Sequence, residues 1–234
     1  MKPALVSFAR ISRPLALILI AATAACGGDG GVSPDAPSSI ERVAADSQTV
    51  AAGVKMSGPL IVLVKDGRGN PISGAAVEWA ITNGGGTLSD SISGTDATGQ
   101  AKTTYTPGTA PGIARITATV GGLPSLLYVV NLVPGPATAL LPFGFSSPAA
   151  VVGSILTLSV KAGDQFGNAI TGREVTWAVS GGTISATTST TDAGGVASVT
   201  YTLPTAAGTY TLTATTEGLP PATFTVKAIA AASQ

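Results

Sequence analysis

From residue 40 onward the apolar positions of this chain recur with a period of two or gather in short continuous runs, and no stretch sustains a helical period. Val77, Trp79 and Ile81 alternate with Glu78 and Ala80, which makes one side of that segment core and the other surface; Val175, Trp177 and Val179 repeat the inward set. Strands are predicted over 40–45, 60–64, 77–81, 101–105, 115–120 and 126–132, and again over 138–141, 155–160, 175–179, 197–201, 210–215 and 222–229. Gly, Pro, Asp and Asn punctuate them. About seven short β-branched strands in about 100 residues describe a sandwich of two antiparallel sheets. The fold class expected is all-β, as two such sandwiches in tandem.

The second set of strands echoes the first. Val77-Glu78-Trp79-Ala80-Ile81 returns as Val175-Thr176-Trp177-Ala178-Val179, an offset of 98 that Asp66, Gly69 and Asn70 share with Asp164, Gly167 and Asn168. Beyond an Asn83-to-Gly86 loop that is two residues longer in the first copy, the offset falls to 96: Asp96, Gly99, Ala101 and Tyr105 match Asp192, Gly195, Ala197 and Tyr201. A self-similar unit of this length is a whole small domain, too large for one solenoid repeat. The expected division is a domain over 40–132, a linker over 133–137, a second domain over 138–229 and a tail over 230–234. With two prolines in five residues, Val133-Pro134-Gly135-Pro136-Ala137 restricts hinge motion and predicts a semi-rigid rod.

The turns carry their own chemistry. Asp66-Gly67-Arg68-Gly69-Asn70-Pro71 and Asp164-Gln165-Phe166-Gly167-Asn168 place an Asp where its carboxylate caps local amides; Asp96 and Asp192 repeat the recipe before the strand that ends in Tyr. One Asp per turn is explained by capping, and no loop has the alternating acidic spacing of a calcium site, so no metal site is expected. Gly84-Gly85-Gly86 follows a strand and leads to Thr87-Leu88, without the helix N-terminus that cradles a phosphate; it reads as a hairpin loop. In the second copy Val160-Lys161-Ala162-Gly163-Asp164 is two residues longer between Lys and Asp, and Ala169 stands where the first has Pro71, which predicts an altered loop.

Composition narrows the function. The 234 residues are 44% hydrophobic and only 10% charged, with 30 Gly and 16 Pro, enough apolar content for a core in each half. Histidine is absent, which removes Ser-His-Asp and Cys-His nucleophiles, an imidazole base near neutral pH and His-ligated metals. No acidic pair recurs between the copies, since Glu78 faces Thr176. No catalytic residue, cofactor or small-molecule substrate is therefore expected. Without Lys2, Arg10 and Arg13 the chain carries 9 basic against 12 acidic residues, a net −3 with no basic stripe to attract nucleic acid.

Those three cations open a segment, residues 1–25, that continues with the apolar run Leu15-Ala16-Leu17-Ile18-Leu19-Ile20 and the small-residue exit Ala21-Ala22-Thr23-Ala24-Ala25. The run is far short of the roughly 20 residues a membrane-spanning helix needs. Cys26, the single cysteine, follows at once and precedes Gly27-Gly28-Asp29-Gly30-Gly31, an arrangement that resembles the lipobox of bacterial lipoproteins, with Thr23 where that family usually has Leu. The resemblance implies a diacylglyceryl group on Cys26, cleavage before it and attachment to a membrane; Gly28 in place of Asp implies the outer membrane, periplasmic or surface-facing. The alternatives are cleavage at an Ala-x-Ala site that leaves a free thiol, or a cysteine with no role. Residues 26–39 read as a flexible tether with a reach of about 20 Å.

Val64 to Pro71 (V-K-D-G-R-G-N-P), Gly74 to Trp79 (G-A-A-V-E-W), Thr95 to Ala101 (T-D-A-T-G-Q-A) and Ala118 to Leu123 (A-T-V-G-G-L) together resemble the group 1 bacterial immunoglobulin-like domain, which occurs in tandem in intimin and invasin adhesins. The resemblance implies a non-catalytic adhesion or interaction protein with a protein or glycan surface partner. A passive spacer or envelope-assembly role is the alternative, and a carbohydrate-binding accessory module a third. Trp79 and Trp177, flanked by inward Val and Ile, are expected in the core with Tyr105 and Tyr201, rather than as sugar platforms. Phe143, Phe145 and Phe166, near turns, either contact a partner or cover the ends of the sandwich.

Overall fold

The computed structural model describes residues 36–43, 48–145 and 148–231. The leader, Cys26 and the tether as far as residue 35 lie outside the described residues, as does 232–234 of the tail. No helix occurs among those described.

Module 1 contains β1 (Ser39–Arg42), β2 (Gln48–Ala51), β3 (Leu60–Lys65), β4 (Ala76–Asn83), β5 (Thr87–Leu88), β6 (Ile92–Gly94), β7 (Gln100–Thr103), β8 (Tyr105–Thr106), β9 (Gly112–Thr119) and β10 (Leu126–Val133). Module 2 contains β11 (Ala139–Phe143), β12 (Ala149–Val151), β13 (Ile155–Gly163), β14 (Glu174–Val179), β15 (Thr183–Ile184), β16 (Thr188–Thr190), β17 (Val196–Thr202), β18 (Gly208–Thr215) and β19 (Ala222–Ile229). One layer of module 2 is β11-β13-β17-β15 and the other β12-β19-β18-β14-β16; module 1 repeats this as β1-β3-β7 and β2-β10-β9-β4-β6, with β5-β8 continuing the smaller layer. The chain is thus two tandem immunoglobulin-like sandwiches.

The period of two becomes the core. In β10 Tyr128, Val130 and Leu132 turn inward; in β19 Ala222, Phe224, Val226 and Ala228 do. Each module closes its own hydrophobic cluster, module 1 around Val62, Val77, Trp79, Tyr105 and Ile116, module 2 around Val160, Val175, Trp177, Tyr201 and Leu212. Burial of such side chains supplies the main driving force, on the order of 25 cal/mol per Å² of apolar surface.

Three expectations are corrected. The sheets are not wholly antiparallel, because β2 runs parallel to β10 and β12 parallel to β19. After its first strand each module's chain crosses to the other layer, where it follows the last strand. The 83–86 loop is no hairpin: β4 pairs with β6 and β9, whereas β5 pairs with β8, so the glycines carry the chain from one layer to the other. A Cβ on Gly86, at φ +101°, would lie 2.3 Å from the Thr106 carbonyl oxygen; on Gly182, at φ +81°, it would lie 2.4 Å from that of Thr202. The Val160–Asp164 stretch holds no insertion either. Val64 and Ala162 donate to Gly99 and Gly195 at 2.9 Å each, so Gly163 is the counterpart of Lys65, and bridges Lys65↔Pro71 and Gly163↔Ala169 close the same loop in both modules.

Candidate functional site

Trp79 and Trp177 are buried, and each indole Nε1 donates to a serine hydroxyl on the neighbouring strand, Ser93 or Ser189, at 2.8 Å. Tyr105 and Tyr201 are fully buried rings whose hydroxyls donate to the carbonyls of Gly85 (2.5 Å) and Gly181 (2.8 Å). Each bond fixes the loop that leaves the Trp strand. Burial pushes both hydroxyls above their ordinary pKa, with Tyr210 adding to the effect at Tyr201.

The Asp turns are built as local caps. Asp66 Oδ1 accepts from the amides of Arg68 and Asn70 at 2.8 Å, and Oδ2 from the Asn70 side chain at 3.0 Å. Asp96 Oδ1 accepts from Thr98 N (2.8 Å), Thr98 Oγ1 (2.6 Å) and Gln100 N (3.1 Å). Asp192 Oδ1 accepts from Gly194 N (2.8 Å) and Val196 N (2.9 Å). The Asn70 side-chain amide is the main force holding Asp66 below the ordinary carboxylate range, and the Thr98 hydroxyl does the same for Asp96. Among the described residues no group of three or more His, Cys, Asp or Glu side chains is placed to hold a metal ion.

Asp164 does more than its counterpart. Oδ1 accepts from Phe166 N (2.8 Å) and Asn168 N (2.9 Å); Oδ2 accepts from the Asn168 side chain (2.8 Å) and from the amide of Gly135 (2.9 Å). Burial pushes this carboxyl up, but the Asn168 amide and the Gly135, Phe166 and Asn168 N–H groups together hold it below its usual value. Gly135 supplies the one N–H within Pro134-Gly135-Pro136. The loop of module 2 therefore grips the linker.

It grips module 1 as well. The Phe166 ring lies against Gly53 so closely that a Cβ there would come within 2.5 Å of it, and the Asn168 Nδ2 donates to the Thr109 carbonyl at 2.8 Å. Both sandwiches fall within a single compact unit. Phe166, expected either to meet a partner or to cover a sandwich end, thus lies at the joint while the residue as a whole stays 42% exposed. Sequence reasoning missed Gly53, Thr109, Gly135 and the joint role of Asn168. The signal available was Phe166 itself, an aromatic in a loop whose first copy carries Arg68 there.

The other two phenylalanines part company. Phe145 packs edge-on against Phe224 at 5.6 Å between ring centres, closing the module 2 core. Phe143 is 48% exposed and shares the outer face of β11 with Leu141, 61% exposed; the Lys161 Nζ stands 5.8 Å from the Phe143 ring centre. Leu141, Pro142, Phe143 and Lys161 line one shallow surface depression. Among the described residues β11 pairs only with β13, so it is an edge strand there, and Pro142 within it withholds an amide from further pairing.

The family model of the bacterial Ig-like domain (group 1) matches residues 40–130 and 154–229. The chain belongs to this family. Among solved structures the chain is similar to the Escherichia coli adhesin FdeC, 23% identical with a TM-score of 0.50 over 82% of this chain and 66% of that one; to InvD of Yersinia pseudotuberculosis, 23% identical with a TM-score of 0.46 over 77% and 56%; and to invasin, a bacterial integrin-binding protein, 20% identical with a TM-score of 0.41 over 82% and 40%. The chain spans less than two thirds of each of these. Comparison with curated protein sequences gives no match.

Proposed function

We propose that the chain is a non-catalytic adhesion or interaction protein, attached to the outer membrane through acylated Cys26, that presents its Ig-like modules to a protein or glycan on another surface. The observation that carries this reading is the exposed Leu141–Phe143 strip beside Lys161 on module 2. Apolar residues side by side on a solvent-facing sheet edge, bordered by a cation, are the composition of a contact surface. Family membership supports the reading, because FdeC is an adhesin and invasin binds integrin.

The joint favours a second reading, a passive spacer, since a linker gripped at Gly135 and a loop seated on Gly53 serve distance as well as recognition. Adhesion of cells displaying the protein to matrix- or glycan-coated surfaces separates the two. Adherence that Leu141→Ser with Phe143→Ser abolishes, at unchanged display and folding, supports recognition; no adherence, or adherence indifferent to the double variant, leaves the spacer. Retention on polysaccharide gels would instead favour the accessory-module reading.

A further inference from the structure

The two modules end alike, but among the described residues only one end is covered. In module 1 the turn after β2 is set by Ala52 N to Val133 O (2.8 Å), Gly53 N to Gly108 O (2.9 Å) and Val54 N to Ala51 O (3.1 Å). In module 2 the turn after β12 is set by Val152 N to Ile229 O (2.9 Å), Gly153 N to Pro204 O (3.1 Å) and Ser154 N to Val151 O (3.1 Å). Gly53 and Gly153 hold the same φ, +73° and +74°. Thr109 follows Gly108 as Thr205 follows Pro204. Bond by bond, the seat that Phe166 and Asn168 occupy on module 1 is built again at the far end of module 2.

There it stands open among the described residues. Nothing lies within 4 Å of a Cβ on Gly153, where the Phe166 ring crowds Gly53. The apolar residues at its strand ends are more exposed, Val151 at 42% and Ile229 at 43% against half-buried Ala51 and Val133, and Ile155, 70% exposed, follows the turn; the covered copy has Val54, 47% exposed, where module 2 has Ser154. Val151 and Ile229 are paired neighbours on β12 and β19. An apolar end grouped around an unoccupied copy of a known seat is the signature of a docking surface.

We infer that this end of module 2, Val151, Gly153, Ile155, Thr205 and Ile229, is a docking surface for a further Ig-like module, one that presents an Asp-x-Phe-Gly-Asn loop. The aromatic of that loop covers Gly153 and the flanking Val151 and Ile229, and its Asn side chain donates to the Thr205 carbonyl as Asn168 does to Thr109. The inference goes beyond the adhesive reading, for a chain that adheres to nothing can still be extended in this way. Tethering brings the weak, small contact to millimolar effective concentration, so it is read most directly within one chain.

The test lengthens the full chain, in a Cys26→Ser background, by a second copy of residues 134–231 placed after Ile229. Spin labels at Arg115 and Thr211 report the existing joint by pulsed dipolar spectroscopy; labels at Thr211 and its appended copy report the new one. The expected result is two distance distributions of equal mean and equal narrow width, with only the second broadened by Phe166→Ala in the appended copy. A broad second distribution beside a narrow first one overturns the inference, as does a narrow one indifferent to that Phe166→Ala. Should the unlengthened chain sediment as end-to-end oligomers that Gly153→Arg disperses, the occupant is a second copy and the inference falls in this form.

Discussion

Asp66, Asp96 and Asp164 each turn a loop by accepting amide hydrogens, and all three titrate below their ordinary value near 3.8. A carboxylate with a lowered folded pKa contributes stability that is complete above its unfolded value and is lost as pH falls through the folded one. Urea midpoints are therefore expected to stay level from neutral pH to about 5 and to drop progressively below pH 4. An acid-insensitive midpoint would contradict the capping geometry. Tyr105→Phe and Tyr201→Phe each remove one buried hydroxyl bond and are expected to cost about 1 kcal/mol by the same denaturation, with the fold kept. The caps and the core tryptophans were legible because spacing and alternation act locally. The Tyr105–Gly85 and Tyr201–Gly181 bonds were not, since they join residues 20 apart through the packed interior.

At the scale of elements, long strands announced themselves and short ones did not. β13, nine residues, and β19, eight, show enough alternation to reveal an inward face, whereas β2 and β12, four and three residues, show none. Their parallel pairing, which turns each larger sheet into a mixed one, is a property of the layer crossing and not of their own composition. The 83–86 loop was misread for a similar reason: three glycines announce a turn without saying where the chain goes next. Gly86→Ala, which drives a Cβ into the Thr106 carbonyl, is expected to destabilise module 1 by about 2 kcal/mol or more. Gly85→Ala, with open space around it, should cost about 1 kcal/mol from its φ of +61° alone. Thermal melts of the two variants check the difference, and equal melts would rule out the steric account.

For the molecule as a whole, the internal repeat announced two modules, and the Pro-rich linker predicts restricted motion. What no single-module reasoning could supply was the partner of Phe166, because Gly53 lies 113 positions earlier and belongs to the other sandwich. The anchor is tested apart from the joint: radiolabelled palmitate is expected to enter the wild-type chain and not the Cys26→Ser variant, and failure to label the wild type would refute attachment at that residue. The central claim is that the linker and the 164–168 loop make the two sandwiches one contact-making body. Amide ¹⁵N relaxation measured across both modules tests it most directly. One shared rotational correlation time, splitting into two shorter ones in a Phe166→Ala, Asn168→Ala double variant, is the predicted result; two separate times already in the wild-type protein would contradict it.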